Sequence, residues 1–307
     1  MIRDLGVQVL DSGYPLRYFR NDTKKIMETK PQFAFFGTPK FAVHILEELS
    51  AGGFLPTLII TAIDTRQGRG LVLTPSPVKV WAEQHGIPCL QPEKIDSIFI
   101  KRLETYDLEL GIVAAYGKIL PKELLQLFPK GVLNVHPSLL PKYRGSSPIE
   151  GALLTGDSET GVSIMLLDEE MDHGPILSQE KFVVPSKMNS PELEEILAHI
   201  GGVLLVKILG AWLAHTLREQ PQDHSQATYT KKIKKSDGEI TAGLSDEEKS
   251  RRFRAYYGWP GSYFMHPKAG RVKITDADME NGVFIIKKVI PEGKKEIAYE
   301  EFERNYK

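Results

Sequence analysis

The chain has 307 residues, 41% apolar and 26% charged, with a formal net charge of −1. That balance excludes disorder and leaves no overall charge to draw nucleic acid, while the length predicts two domains, because single cores stop growing at roughly 250–300 residues. The lone cysteine, Cys89, has no disulfide partner in the chain, which points to a reducing compartment, the cytoplasm.

The first 30 residues lack the apolar core of a signal peptide, and Asp4, Asp11, Asp22 and Glu28 argue against a mitochondrial presequence. Met27 stands just before the first convincing strand, so residues 1–30 are expected to be an extension that contributes little. From Phe33 to about Val184 short apolar runs alternate with amphipathic segments. Phe33–Phe36, Leu58–Ile63, Leu108–Ala114 and Val132–Val135 read as strands and Ile87–Leu90 as a short buried one. Lys40–Ser50, Val78–His85 and Lys122–Phe128 read as the helices between them. This alternation predicts an α/β fold with a mostly parallel sheet covered by helices.

Gly161–Leu167 and Ile176–Val184 are two further strands around the turn-rich piece Asp168–Pro175. Asn189-Ser190-Pro191-Glu192 is a helix start signal, and a long helix is expected over residues 190–217. Its most apolar part, Ile200–Leu217, is interrupted by Lys207 and His215 and contains Gly201, Gly202 and Gly210, which suits a half-buried helix better than a membrane span. Residues 218–236 turn polar and read as a linker. Short strands at Gly261–Phe264, Arg271–Ile274 and Gly282–Val289 then predict a small β-rich module over residues 237–307, after a first domain over 31–217. Ser225–Lys307 holds 17 basic and 13 acidic residues, so the tail is the basic end of the chain.

Phe36-Gly37-Thr38-Pro39 ends the first strand where a dinucleotide-binding fold carries its glycine fingerprint. The G-x-G-x-x-G spacing is absent, so a nicotinamide or flavin site is not expected. The connection Asp64–Lys79 is long for a strand-to-helix loop, and long loops tend to be functional or mobile. Arg66 and Arg69 within it could contact phosphates of an RNA, or belong to a solvated loop.

The main constellation is Asn134-Val-His136 with the loop Pro137–Gly145, followed by Met171-Asp172-His173-Gly174. Asn134 and His136 alternate along a strand and so point to one side. An amide, an imidazole and a carboxylate, without a cysteine and without metal-ligand spacing, suit acyl transfer to an amine with no covalent enzyme intermediate. Asn134 can donate to an oxyanion, His136 can donate to it or shuttle a proton, and Asp172 can fix the imidazole's tautomer and charge. Taken singly, Asn-x-His is commoner as a strand-end pair and Asp172 as an Asx-turn residue, with His173 a bystander. The loop Ser138-Leu139-Leu140-Pro141 offers apolar side chains and backbone polar groups to a flat heteroaromatic ligand. Lys231, Lys232, Lys234 and Lys235, and the cluster Lys249–Arg254, are solvated faces or nucleic-acid backbone contacts.

These motifs together resemble the folate-dependent formyltransferase family. The resemblance runs from about Phe33 to the end. It is carried by Phe36–Pro39, Gly68-Arg69-Gly70 with Thr74–Lys79, Ala115-Tyr116-Gly117, Asn134–Gly145, Met171–Gly174, Ala227–Ile233, Trp259-Pro260-Gly261 and Pro291–Lys295. The Thr74–Lys79 loop and the Ala227-Thr228-Tyr229 stretch point to members whose acceptor is initiator methionyl-tRNA. The resemblance implies a doubly wound, Rossmann-like formyltransferase domain with a smaller C-terminal OB-like β-barrel, here shortened because Lys273–Ile290 is too brief for every strand. It implies Asn134, His136 and Asp172 as catalytic residues, and 10-formyltetrahydrofolate as co-substrate on Ser138, Leu139, Leu140, Pro141, Tyr116 and Gly117. It also implies tRNA contacts at Arg66, Arg69, Lys231, Lys232, Lys234 and Lys235, with no metal, no membrane and a monomer. Two departures, Leu71-Val72 in place of lysines and Thr65-Arg66-Gln67 in place of a proline, imply weaker tRNA affinity. Transfer to an amino-sugar nucleotide, transfer to a small purine precursor and non-catalytic RNA binding on the same scaffold are the competing possibilities.

Overall fold

The computed structural model describes residues 31–67 and 70–307. The expected extension over 1–30 and the expected tRNA contact Arg69 lie outside the described residues.

In chain order, β1 (Phe33–Gly37) leads into α1 (Lys40–Ala51), and β2 (Leu58–Ile60) into the hairpin β3 (Thr65–Gln67) and β4 (Val72–Thr74), followed by α2 (Pro77–Gln84). β5 (Cys89–Leu90) precedes α3 (Ser97–Glu104), and β6 (Leu110–Ala114) precedes α4 (Lys122–Leu125). β7 (Val132–His136) is followed by the two-residue β8 (Arg144–Gly145), α5 (Pro148–Thr155), β9 (Glu159–Leu166), β10 (Ile176–Val183) and the long α6 (Ser190–Leu213). Seven strands form one sheet in the order β10-β9-β7-β6-β1-β2-β5. The pairs from β5 to β7 are parallel, and β9 and β10 join the β7 edge as antiparallel neighbours.

β1, β2 and β6 are buried at every residue. Covered on both faces, they have no reason to alternate, and so they stand out as unbroken apolar runs. One face takes α1, α2 and α6 through Ile45, Leu46, Trp81, Leu197 and Leu205. The other takes α3 and α4 through Phe99, Leu103 and Leu124. The chain builds outward from β1 to β5, then returns to β6 on the other side of β1. That reversal is the switch point at which open α/β sheets hold ligands, outside the carboxyl ends of the strands.

By length and composition α6 could also cross a membrane. Its apolarity is accounted for by what it covers: Leu193, Leu197, Leu204, Leu205, Ile208 and Leu209 are buried. Gly201 sits where a Cβ would lie 2.6 Å from Val135 Cγ1, and Gly202 where one would lie 2.6 Å from Glu48 Cβ, so the two glycines let α6 lie close on β7 and α1. Its start is a capping box. Asn189 Oδ1 accepts from Glu192 N at 3.1 Å and Glu192 Oε2 from Asn189 N at 3.0 Å. Asn189→Ala is expected to cost about 1 kcal/mol and lower the melting temperature by about 2–4 °C, read by thermal unfolding.

β11 (Tyr229–Thr230), α7 (Asp246–Ala255), β12 (Tyr263–His266), β13 (Gly270–Glu280), β14 (Val283–Pro291), β15 (Ile297–Ala298) and α8 (Tyr299–Asn305) complete the described chain. β12 to β15 form a four-stranded antiparallel sheet, a small barrel in shortened form. Lys273–Ile290 is used up by one long hairpin, whose turn Asn281-Gly282 has φ of 52° and 81° at its two residues, as a type I′ turn requires. α7 seats this sheet on the first unit: Ala255 and Tyr256 join the main core, and Arg251 Nη1 donates to Thr155 O at 3.0 Å.

Several elements differ from sequence expectation. The strand expected to reach Ile63 stops at Ile60, and Ile63 is exposed. The 64–79 connection holds the β3–β4 hairpin. α3, α5, α7 and α8 have no counterpart among the expected helices. α7 contains the basic cluster Lys249–Arg254, and its ten residues bury only Ala255 fully, so its apolar periodicity is faint.

Candidate active site

Asn134 and His136 leave β7 on the face that α3 and α4 cover farther along the sheet, beside the carboxyl end of β6. Val113 pairs with Asn134, and β6 continues into Ala115, with φ of 48°, and Gly117, with φ of 81°. From the far side the 168–175 turn brings in Asp172, itself at φ 51°. Asp172 Oδ1 is the meeting point: Asn134 Nδ2 donates to it at 3.4 Å and His136 Nδ1 faces it at 3.7 Å. Asp172 Oδ2 accepts from Gly145 N at 2.7 Å. The three side chains expected to be catalytic thus converge on one carboxylate, with the imidazole only 5% and the carboxyl 12% exposed.

His136 Nε2 lies 3.0 Å from Tyr143 O. A carbonyl only accepts, so Nε2 carries the hydrogen and Nδ1 is the nitrogen presented to Asp172. A proton on Nδ1 would make the ring an imidazolium, with the carboxylate opposite to balance its charge.

The loop after His136 is anchored to the strands beyond β7. Ser138 is fully buried: its Oγ donates to Lys142 O at 2.6 Å and its carbonyl accepts from Ser163 Oγ at 2.6 Å. Leu140 is buried with Met165 and Ile176, and Ser163 Oγ and Gln179 hold its backbone. Leu139 and Pro141 line a cavity with Lys142, Asp157 and Gln179 whose walls include none of the trio. The backbone groups of Ser138 and Leu140 thus fasten the β7 loop to β9 and β10. Tyr116 is also packed inside, edge-on to Phe36 at 5.5 Å, and burial pushes its phenol up to about 12. Gly117 is exposed, and no atom lies within 4 Å of where its Cβ would be.

Residues 218–236, expected as a linker, run as a strap along the first unit. β11 pairs in parallel with β8, Tyr143 N donates to Thr228 Oγ1 at 2.8 Å, and Ser147 N donates to Thr230 Oγ1 at 3.1 Å. Gln222, buried, donates from Nε2 to Asp172 O at 2.9 Å and Gly174 O at 2.7 Å. His173 is stacked on His224 with ring centres 4.0 Å apart and bonded through Nδ1 to Asp168 Oδ2 at 2.6 Å. Gln222 and His224 carried no signal in a polar stretch, and Arg144 was visible only as part of the Asn134–Gly145 motif. Arg66 on β3 and Lys231, Lys232, Lys234 and Lys235 just beyond β11 are all exposed. Leu71, Val72 and Leu73 are exposed too, so the chain entering β4 presents apolar side chains, with Leu71 and Val72 where the resemblance implies lysines.

Gly174 closes the Asp172 turn against β9. A Cβ there would collide with the carbonyl oxygen of Leu166, which is backbone and cannot rotate aside. Gly174→Ala is expected to displace the turn, costing about 1–3 kcal/mol of stability in thermal or denaturant unfolding and lowering any turnover that depends on Asp172.

Residues 31–209 match the family model described as formyl transferase. Among curated proteins the chain is 46% identical to the methionyl-tRNA formyltransferase of Chloroflexus aurantiacus over 75% of this chain and 74% of that one. It is 41% identical to the enzyme of that name from Thermus thermophilus over 85% of each. Among solved structures it resembles a methionyl-tRNA formyltransferase from Clostridium thermocellum, with a TM-score of 0.58, 15% identity, and coverage of 86% of this chain and all of that one. It also resembles an N-formyltransferase from Helicobacter canadensis in complex with folinic acid and dTDP-3-aminofucose, with a TM-score of 0.63, 18% identity, and coverage of 87% of this chain and 98% of that one. At such identities these two structures speak for the fold.

Proposed function

Because the chain belongs to the formyl transferase family, we propose that it transfers the formyl group of 10-formyltetrahydrofolate to the α-amino group of initiator methionyl-tRNA. The observation that carries the chemistry is the convergence of Asn134, His136 and Asp172 on Asp172 Oδ1. The acceptor is supported by a 41% identical relative named for it, matched over 85% of this chain.

In this scheme the neutral amine attacks the formyl carbon, a C–N bond forms, and the carbonyl's π electrons move onto oxygen. Asn134 Nδ2 and the protonated imidazole donate to that oxygen, and preorganised donors in a site closed to water are where such stabilisation is largest. Asp172 Oδ2 is held by Gly145, so Oδ1 is the oxygen available to take a proton from the incoming amine. That proton passes to the folate nitrogen as its bond to the formyl carbon breaks, leaving tetrahydrofolate and the formylated amine. Ala115 and Gly117, left-handed and open at the end of β6, put backbone groups beside Asn134 where a flat donor ring can be held. Arg66 and the lysines after β11 offer cations to the phosphates of the acceptor arm; such contacts position without reading sequence.

The test is transfer of labelled formyl from 10-formyltetrahydrofolate to charged initiator tRNA, run beside amino-sugar nucleotides. Formylated methionyl-tRNA as the dominant product is the expected result. Label on the sugar alone would replace this acceptor with the other, and tRNA binding without transfer would leave a binding protein.

A further inference from the structure

We propose that Gln222 and Arg144 are positioning residues for formyl transfer: a buried amide and guanidinium that together hold the turn carrying Asp172. The catalytic part of this inference rests on the function proposed above.

Arg144 is 2% exposed. Among the described residues it forms no ion pair with a carboxylate; its partners are neutral. Nε and Nη2 donate to Gln222 Oε1 at 3.2 and 2.6 Å, Nη2 meets His224 Nδ1 at 2.8 Å, and Nη1 meets the Tyr229 hydroxyl at 3.4 Å. A guanidinium out of water with no counter-charge is unfavourable unless its hydrogens are all engaged, so the groups around it are held hard in place. Gln222 is the piece that passes this constraint on. Arginine can only donate and the carbonyls of Asp172 and Gly174 can only accept, so the group between them must accept at one end and donate at the other. A glutamine amide does so in one orientation only, and its Nε2 grips the backbone on both sides of His173.

The grip bears on chemistry because Asp172 is in the left-handed region, at φ 51°, which a residue with a side chain adopts at some expense. Arg144 also belongs to β8, whose next residue, Gly145, donates to Asp172 Oδ2. One short strand therefore fixes the carboxylate directly through Gly145 and its backbone indirectly through Arg144 and Gln222. The strap supplying Gln222 continues nine residues later into the lysines expected to meet tRNA, so the element that holds Asp172 is continuous with the one proposed to face the acceptor.

The deciding variant is Gln222→Glu, measured in the full chain. It keeps an acceptor for Arg144, now as an ion pair, but sets oxygen instead of N–H against both carbonyls. The expected result is a folded protein with a lowered melting temperature, because two carbonyls lose their donor, with kcat lower by about 10²-fold, KM for methionyl-tRNA and for the folate within about twofold, and faster hydrogen exchange at the Gly145 amide. In an Asp172→Asn background the same change should cost little further kcat, because the carboxylate it positions is gone. Wild-type kcat in a folded Gln222→Glu protein, or an undiminished loss in the Asp172→Asn background, would overturn the proposal. If Gln222→Glu does not fold, the apolar pair Arg144→Met with Gln222→Leu removes the arrangement without leaving a bare charge, and native kcat in that protein would equally refute it. A wild-type chain that formylates nothing would instead count against the function proposed above, while the exchange rate at Gly145 would still report on whether Gln222 holds the turn.

Discussion

His136→Ala is expected to lower kcat for formyl transfer by about 10²–10⁴-fold, the range associated with losing a positioned acid–base or oxyanion-stabilising group. The side chain is buried, Nε2 is tied to Tyr143 O, and Nδ1 faces the Asp172 carboxylate. Truncation thus removes a buried imidazole proposed to donate to the developing oxyanion. It also leaves the Tyr143 carbonyl without its donor, so a loss of about 1–3 kcal/mol of stability should accompany the kinetic effect. The exposed cations proposed to meet tRNA lie on β3 and beyond β11, so the Kd for methionyl-tRNA should stay within a fewfold of wild type. Single-turnover transfer measured alongside tRNA binding separates the two, and near-normal turnover would remove His136 from the mechanism.

Asp172→Asn is the more incisive change because it alters charge with almost no change in shape. Asparagine tolerates the left-handed backbone at this position, and its remaining oxygen can still accept from Gly145 N. Its amide nitrogen would then face Asn134 Nδ2, setting donor against donor, and would meet the unprotonated Nδ1 of His136 as a donor, favouring the neutral ring where the carboxylate now favours the charged one. The proton acceptor and the counter-charge for the imidazolium are lost together. The expected result is a fall in kcat of about 10²–10⁴-fold, with KM for both substrates nearly unchanged and a native melting temperature. A KM effect with intact kcat would make Asp172 a binding residue and would require another proton acceptor.

The two sites of substitution were visible in the sequence for different reasons. Asn134 and His136 share a face through the two-residue period of a strand, a local property, and no competing packing reversed it. Asp172 lies outside that strand and was paired with them by a motif, whereas its approach to Asn134 and His136 depends on the 168–175 turn folding back over β7. Ser138–Pro141 shows a limit of sequence, because an apolar loop beside a site reads alike whether it faces a ligand or its own scaffold. Ser163 and Gln179, on two later strands, take the backbone groups of Ser138 and Leu140. The helix at 97–104 was missed because its burial rests on Phe99 and Leu103 alone, although the Asp96 side chain caps it at Phe99 N.

What the amino-acid order determined by itself was the sheet and its capped helices: β1, β2, β6 and β7 from apolar runs, and α6 from the Asn189–Glu192 box. Those signals are local, set by burial on both faces and by backbone groups that neighbouring side chains satisfy. Only the tertiary structure decided which polar residues would meet. An arginine buried without an acid partner among the described residues, and an amide bridging it to the Asp172 turn, are choices of hydrogen-bond partner made across 78 and 50 residues of separation. A buried donor or acceptor must be paired somewhere, and sequence does not say where; the partner is whichever group the packed chain brings within 3 Å or so.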